Sequence, residues 1–123
     1  DTAVTDLLVD EIGSYRRGFG DPNRILGLVR AGTWLIPLTA DGAAYTAVSH
    51  GSDWLPVFTT EREHALYLRQ RGQAEGRYFS MPGSAILDEL RPRLGRLVGV
   101  VIDPAGDTPF ALPAEALGGE PLR

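Results

Sequence analysis

Apolar residues recur at helical spacing in two places near the amino terminus. Between residues 4 and 12 they fall on one face of a helix, with acidic residues on the other face. A second helix is predicted to begin at Pro22, because proline suits the first helical turn, and to end at Gly32. The chain is therefore expected to open with two short helices.

Three apolar runs follow at residues 34–38, 45–48 and 54–58, each bounded by turn residues. Consecutive runs with short turns predict three strands in an antiparallel meander. Pro37 and Pro56 lie inside two of these runs and lack the N–H that a strand ladder uses. Each proline is therefore expected to face a sheet edge or a bulge.

The third run leads directly into a helix start. Thr60 and Glu63 have the spacing of a capping box, in which each side chain accepts from a backbone N–H at the other position. The helix is predicted over residues 61–71, burying Ala65, Leu66 and Leu68, with Gly72 after its end.

The remaining pattern alternates short elements. We predict a strand at 78–79, a helix at 82–90 stopped by Arg91-Pro92, strands at 97–102 and 108–112 joined by a turn at 103–107, and a last helical turn from Pro113. The expected fold is α/β of the α+β kind, a single domain with a mainly antiparallel mixed sheet of about five strands flanked by helices.

Composition limits the classes of function. With 123 residues the chain is long enough for one domain, and the absence of cysteine excludes disulfides and thiolate chemistry. All 12 basic residues are arginine, a usage that suggests a GC-rich bacterial genome. The net charge of −4 supplies no excess of cations for phosphate neutralisation, so nucleic acid is not expected as a partner.

No apolar run approaches the roughly 18–20 residues of a membrane span, and the amino terminus is acidic where a signal peptide would be basic. We therefore expect a cytoplasmic protein without membrane contact.

A metal site would need His50 and His64, with carboxylates such as Asp53, Glu61 or Glu63, to converge in space. Their spacing matches no zinc-protease motif, and His64 falls in a first helical turn, where the dipole disfavours a cation. We expect a neutral surface or half-buried role for His64, and neither a metal nor a cofactor.

Other reactive groups lack the neighbours that catalysis requires. Ser49 and His50 are adjacent in sequence, which in a strand points them to opposite faces. Asp53, Asp103 and Asp107 occupy predicted turns, where an aspartate caps its own backbone. The chain is therefore not expected to be an enzyme.

Trp34 and Trp54 each begin a predicted strand and are either core anchors or interface residues, of which we favour the core. An exposed tryptophan beside an unpaired strand edge would instead mark a partner surface.

The order of motifs resembles the amino-terminal domain of the SseB family, named for enhanced serine sensitivity in bacteria. The two most specific pieces are the run Trp54-Leu-Pro-Val-Phe-Thr-Thr-Glu leading into a helix and the Asp103-Pro-Ala-Gly turn followed by Phe-Ala-Leu-Pro. The resemblance covers about residues 22–117 and implies a compact α/β domain, often accompanied by a second domain. It implies no catalytic residues. We divide the chain into an amino-terminal helix and linker at 1–21 and an SseB-like domain at 22–123.

The expected function is a noncatalytic protein-interaction module, with Trp54, Phe58, Arg62 and Tyr67 as partner contacts. Self-association through a sheet edge is compatible with the same pattern. An acidic immunity or antitoxin-like protein that blocks a basic toxin is the first alternative. A small enzyme is the second, and it would require a pocket that gathers His64, Glu61 and Asp53.

Overall fold

The structure is a computed structural model that describes residues 2–49, 51–73, 76–95 and 97–117. Its helices are α1 (Thr2–Arg16), α2 (Pro22–Ala31), α3 (Glu61–Gln70), α4 (Gly83–Ala85) and α5 (Arg91–Leu94), with a π-helical turn (Ile86–Leu90) and a 3-10 turn (Ala114–Leu117). Its strands are β1 (Thr33–Pro37), β2 (Ala47–Ser49), β3 (Ser52–Val57), β4 (Tyr78–Pro82), β5 (Gly99–Ile102) and β6 (Phe110–Leu112).

Both predicted amino-terminal helices are present. Helix α1 places Leu8 and Ile12 in the core, and α2 does the same with Ile25 and Val29. Helix α2 is capped by Asp21, whose side chain accepts a 2.9 Å hydrogen bond from the Asn23 N–H. The predicted start at Pro22 and stop at Gly32 are confirmed.

The strands form two sheets, one of order β1-β4 and one of order β2-β3-β5-β6. The fold class is confirmed: helices combine with mixed sheets, antiparallel except where β3 and β5 pair in parallel. The two sheets meet at a bridge between Leu35 and Phe58, which exchange hydrogen bonds of 2.9 and 3.0 Å.

The predicted three-stranded meander is wrong in one pairing. The β2–β3 hairpin forms, but β1 pairs with β4 along its whole length rather than with β2. Proline at position 37 explains the difference: its carbonyl accepts from the Tyr45 N–H at 2.9 Å, but it has no N–H to return the second bond of a ladder pair.

Both strand prolines face gaps in the ladders, as predicted. Pro56 lies between Trp54, which pairs with β2, and Phe58, which bridges to β1. Alternate residues of a strand direct their backbone groups to the same side. The Pro56 nitrogen therefore points to the gap between the β2 pairing at Trp54 and the β1 bridge at Phe58, where no acceptor is needed. Pro37 likewise directs its nitrogen away from β4.

Helix α3 begins at the predicted cap. The Thr60 hydroxyl accepts from the Glu63 N–H at 3.2 Å, whereas the Glu63 carboxylate turns to Gly106 instead of returning to the cap. The prediction that Ala65 is buried is wrong, because Ala65 is exposed and His64 is the buried residue of this helix. Gly72 follows the helix at φ +74, a value that suits glycine.

The prediction that Arg91-Pro92 stops a helix is also wrong. Helical backbone continues from α4 through the π-helical turn into α5 and ends at Gly95. A wider π turn just before Pro92 relieves the clash between its ring and the preceding turn, so the chain passes the proline without leaving helical geometry.

The core lies between the inner sheet face and the helices. On β3 and β5 the inward residues are Leu55, Val57, Val100 and Ile102, which join one apolar cluster with side chains of α1, α2 and the π-helical turn. Trp34 is 1% exposed and its indole N–H donates to the Val29 carbonyl at 2.7 Å, which confirms its core role. None of the helices among the described residues is long and apolar enough to cross a membrane.

Candidate functional site

The outer face of the four-stranded sheet is apolar and only partly covered. Trp54 and Pro56 alternate with the inward Leu55 and Val57, so they point away from the main core. The register places Val101 beside Pro56 and Ala111 beside Val101. These residues line a groove of about 460 Å³, which we call the outer-face groove.

Trp54 is held against the strand beside it. A Cβ added at Gly99 would lie 2.7 Å from a ring carbon of Trp54, so only glycine lets the indole lie this close to β5. The indole N–H donates to the Ser49 carbonyl at 3.4 Å, and the residue remains partly exposed. The groove therefore contains a fixed aromatic surface.

One wall of the groove is formed by Tyr67 of helix α3 and by Arg71, which caps the end of that helix. The Arg71 guanidinium carbon lies 5.2 Å from the ring centre of Tyr45 and 5.5 Å from that of Tyr67, within the range of cation–π attraction. Burial, together with Tyr45, raises the pKa of Tyr67. Arg71 is the only charged residue among the described residues that line the groove.

The structure separates the four predicted contact residues. Trp54 and Tyr67 share the outer-face groove. Phe58 is fully buried against Tyr67 and His64, with ring centres 5.3 and 5.2 Å away, so it offers no surface to a partner. Arg62 is exposed and lines a different cleft.

That second cleft is acidic. It has a volume of about 740 Å³ and lies between α1, α3 and the turn that follows β5; its acidic residues are Asp6, Glu63, Asp103 and Asp107. Burial and the charges of Asp103 and Asp107 raise the pKa of Glu63. We call this feature the acidic cleft.

Asp103 corrects a prediction, because its side chain does not cap its own turn. Its carboxylate accepts from the Thr59 N–H at 2.9 Å and from the Thr59 hydroxyl at 2.7 Å. Burial raises the pKa of Asp103, although the two Thr59 hydrogen bonds oppose the change. Asp53 was also expected in a turn, but it lies in β3 opposite Val48.

His64 is buried rather than half-exposed, with 4% of its surface accessible. Its ring packs against Phe58 and Tyr78, and burial lowers its pKa. The Tyr78 hydroxyl in turn donates to the Glu61 carboxylate at 2.6 Å. His64 and Glu61 thus lie at one end of α3, and Asp53 lies beside the β2–β3 turn.

His50, the other histidine considered for a metal site, lies outside the described residues. Within the described part of the chain, no group of three or more histidine, cysteine, aspartate or glutamate side chains could hold a metal ion.

Comparison with known proteins identifies the family. The model of the SseB protein N-terminal domain matches residues 16–118. The chain belongs to the SseB family. The match begins at the last residue of α1, and the division of the chain at residue 21 stays a prediction. No curated protein and no solved structure matches the chain.

The two most specific pieces of the family resemblance meet in the structure, because Thr59 follows the Trp54 strand and Asp103 begins the Asp-Pro-Ala-Gly turn. Sequence reasoning missed Arg71, Val101 and Ala111 as groove residues. Strand alternation contained a signal for Val101, since it lies between two core residues, Val100 and Ile102. The pairing of β3 with β5 was needed to place it beside Pro56.

Proposed function

We propose that this SseB-family domain is a noncatalytic protein-interaction module that binds an apolar segment of a partner protein in the outer-face groove. One observation carries the proposal: Trp54 and Val101, which are partly exposed, and the exposed Ala111 form an apolar sheet face beside the buried Pro56, with open space above it. The opposite face of the same sheet is covered by helices. Apolar sheet surface left uncovered is typical of binding sites.

The groove has the features of an interface centre. Trp54 packs against Gly99 and donates to the Ser49 carbonyl, and these contacts restrict its side chain before a partner binds. Tryptophan, tyrosine and arginine are the residues that most often dominate binding energy, and here Trp54, Tyr67 and Arg71 share one groove. We propose that the module acts in the bacterial cytoplasm.

The fluorescence of Trp54 provides a test. A partner identified by co-purification from the native cell is titrated into the full chain, and we expect a blue shift because binding removes Trp54 from water. Trp34 is buried and should not respond. Replacement Trp54→Phe should abolish the shift, whereas binding without any change in Trp54 emission would contradict the proposal.

The acidic cleft favours a second candidate, an immunity-like protein that accepts basic side chains of a toxin. Four acidic residues line the cleft, and a basic partner would be attracted by their charge. Asp107 is exposed and lines the acidic cleft but not the outer-face groove, so a substitution there distinguishes the two proposed functions. Replacement Asp107→Asn should weaken binding of a basic partner in the cleft and leave binding in the outer-face groove unchanged.

A further inference from the structure

A second cavity, of about 300 Å³, lies between α3 and the segment that follows β1, and it shares Tyr67 and Arg71 with the outer-face groove. Its polar lining residues are Thr39, Tyr45, His64, Tyr67, Arg71, Gln73 and Arg77. None of the described residues that line it is acidic, although the chain has a net charge of −4. The cavity thus gathers positive charge in an acidic protein.

His64 contributes a buried group without a partner. The residue is 4% exposed, and its Nε2 has no hydrogen-bond partner among the described residues. Buried polar atoms are normally satisfied by protein or by another bound molecule. An unpartnered nitrogen in the lining of a cavity is therefore a candidate contact for a ligand.

The two arginines of the cavity are held in place but keep donors to spare. Arg71 lies against the rings of Tyr45 and Tyr67. Arg77 donates to the carbonyls of Ala40 at 2.8 Å and Thr39 at 3.4 Å. A guanidinium carries five N–H donors, and its planar geometry suits carboxylate and phosphate oxygens.

We propose that this cavity binds a small organic anion, whose carboxylate or phosphate group is held by Arg71, Arg77 and the Nε2 of His64 while its apolar body fills the rest of the cavity. Pro37, Leu38 and Leu68 supply apolar wall for that body. The site goes beyond the protein-binding function, because His64 and Arg77 do not line the outer-face groove.

The titration of His64 reports on the site. Phe58 and Tyr78 pack against the His64 ring, and the Tyr78 hydroxyl donates to the Glu61 carboxylate. Tyr45, Tyr67, Arg71 and Arg77 share the cavity with His64. A bound anion would favour the protonated imidazole by charge attraction. Anion binding should therefore raise the pKa of His64, and a neutral ligand should not.

The experiment follows the His64 ring by NMR in the full chain across pH, with benzoate, phenyl phosphate or the neutral benzamide added. We expect at least one anion to bind and raise the pKa of His64, and benzamide to leave it unchanged. A response to benzoate alone assigns a carboxylate ligand, and a response to phenyl phosphate alone assigns a phosphate ester. No response to either anion, or an equal response to benzamide, would overturn the proposal.

Two variants with the same change in charge localise the effect. Arg77→Gln should weaken anion binding about tenfold or more, because hydrogen bonds to charged groups are the strongest kind. Arg62→Gln removes an arginine outside the cavity and should bind like the parent chain. Equal affinity of the Arg77→Gln variant and the parent chain would contradict the proposed role of Arg77. If Arg77→Gln fails to fold, the NMR titration of the unmodified chain still decides the question.

Discussion

Among single residues, Asp103 links the turn that follows β5 to the segment that follows β3. It adopts φ +47, and its side chain holds the N–H and hydroxyl of Thr59. Its own N–H donates to the Val57 carbonyl at 2.9 Å. The sequence identified both segments as specific motifs, but it could not show their contact, because the two residues are 44 positions apart.

Replacement Asp103→Ala should lower the free energy of unfolding by about 1–3 kcal/mol, since it leaves the Thr59 donors without their acceptor. Asp103→Asn keeps an acceptor and tolerates positive φ, so it should cost less. Urea unfolding of both variants checks the order. Equal stability of the alanine variant and the parent chain would show that the link contributes nothing.

His64 shows where residue-level prediction fails. Its place in the first turn of α3 was predictable from Thr60 and Glu63. Its burial depends on Phe58, which follows β3, and on Tyr78, which begins β4. Helical position alone indicated a neutral histidine at the surface or half-buried. The His64 side chain is buried because residues outside the helix pack against it.

Burial lowers the pKa of His64 below its ordinary value of 6.5, so the folded state binds fewer protons than the unfolded state in the window between the two values. The stability contributed by neutral His64 is complete above about pH 6.5 and decreases as the pH falls through that window. We expect unfolding measurements to show this decrease in the parent chain and not in His64→Gln. His50→Gln is the control and should keep the decrease; the same loss in all three proteins would contradict the account.

At the level of secondary structure, the close contact between α2 and α4 depends on glycine. The N–H of Gly83 donates to the Gly32 carbonyl at 2.8 Å, and a Cβ added at Gly83 would lie 1.6 Å from the Val29 carbonyl oxygen. The sequence predicted a helix beginning near this position and its apolar residues. It could not predict that α4 would approach the end of α2 so closely.

Replacement Gly83→Ala should therefore destabilise the fold by about 3 kcal/mol or more, because backbone cannot move aside as a side-chain end can. Gly27→Ala in α2 is the matched control, since a Cβ there has nothing within 4 Å. Alanine at that helical position should stabilise by about 0.5–1 kcal/mol. Similar effects of the two substitutions on urea midpoints would refute the packing argument.

At the scale of the whole molecule, local pattern predicted most elements and the fold class but not the strand order. Turn residues correctly indicated the β2–β3 hairpin, whose strands are close in sequence. The β1–β4 and β3–β5 pairings join distant segments and depend on which edges remain after the prolines interrupt the ladders. Trp54 and Tyr67 were named from sequence, and the tertiary fold added Arg71, Val101 and Ala111.

We propose that the outer-face groove binds a partner protein. Ala111 is exposed on β6, so Ala111→Glu adds a charge to the groove without entering the core. Arg62→Gln lowers the net charge by the same amount but lies in the acidic cleft.

The deciding measurement is calorimetric titration of the identified partner into the parent chain and these two variants. The account predicts that Ala111→Glu weakens binding about tenfold or more, a loss of about 1.4 kcal/mol or more, while Arg62→Gln binds like the parent chain. Unchanged affinity of the folded Ala111→Glu variant would contradict it.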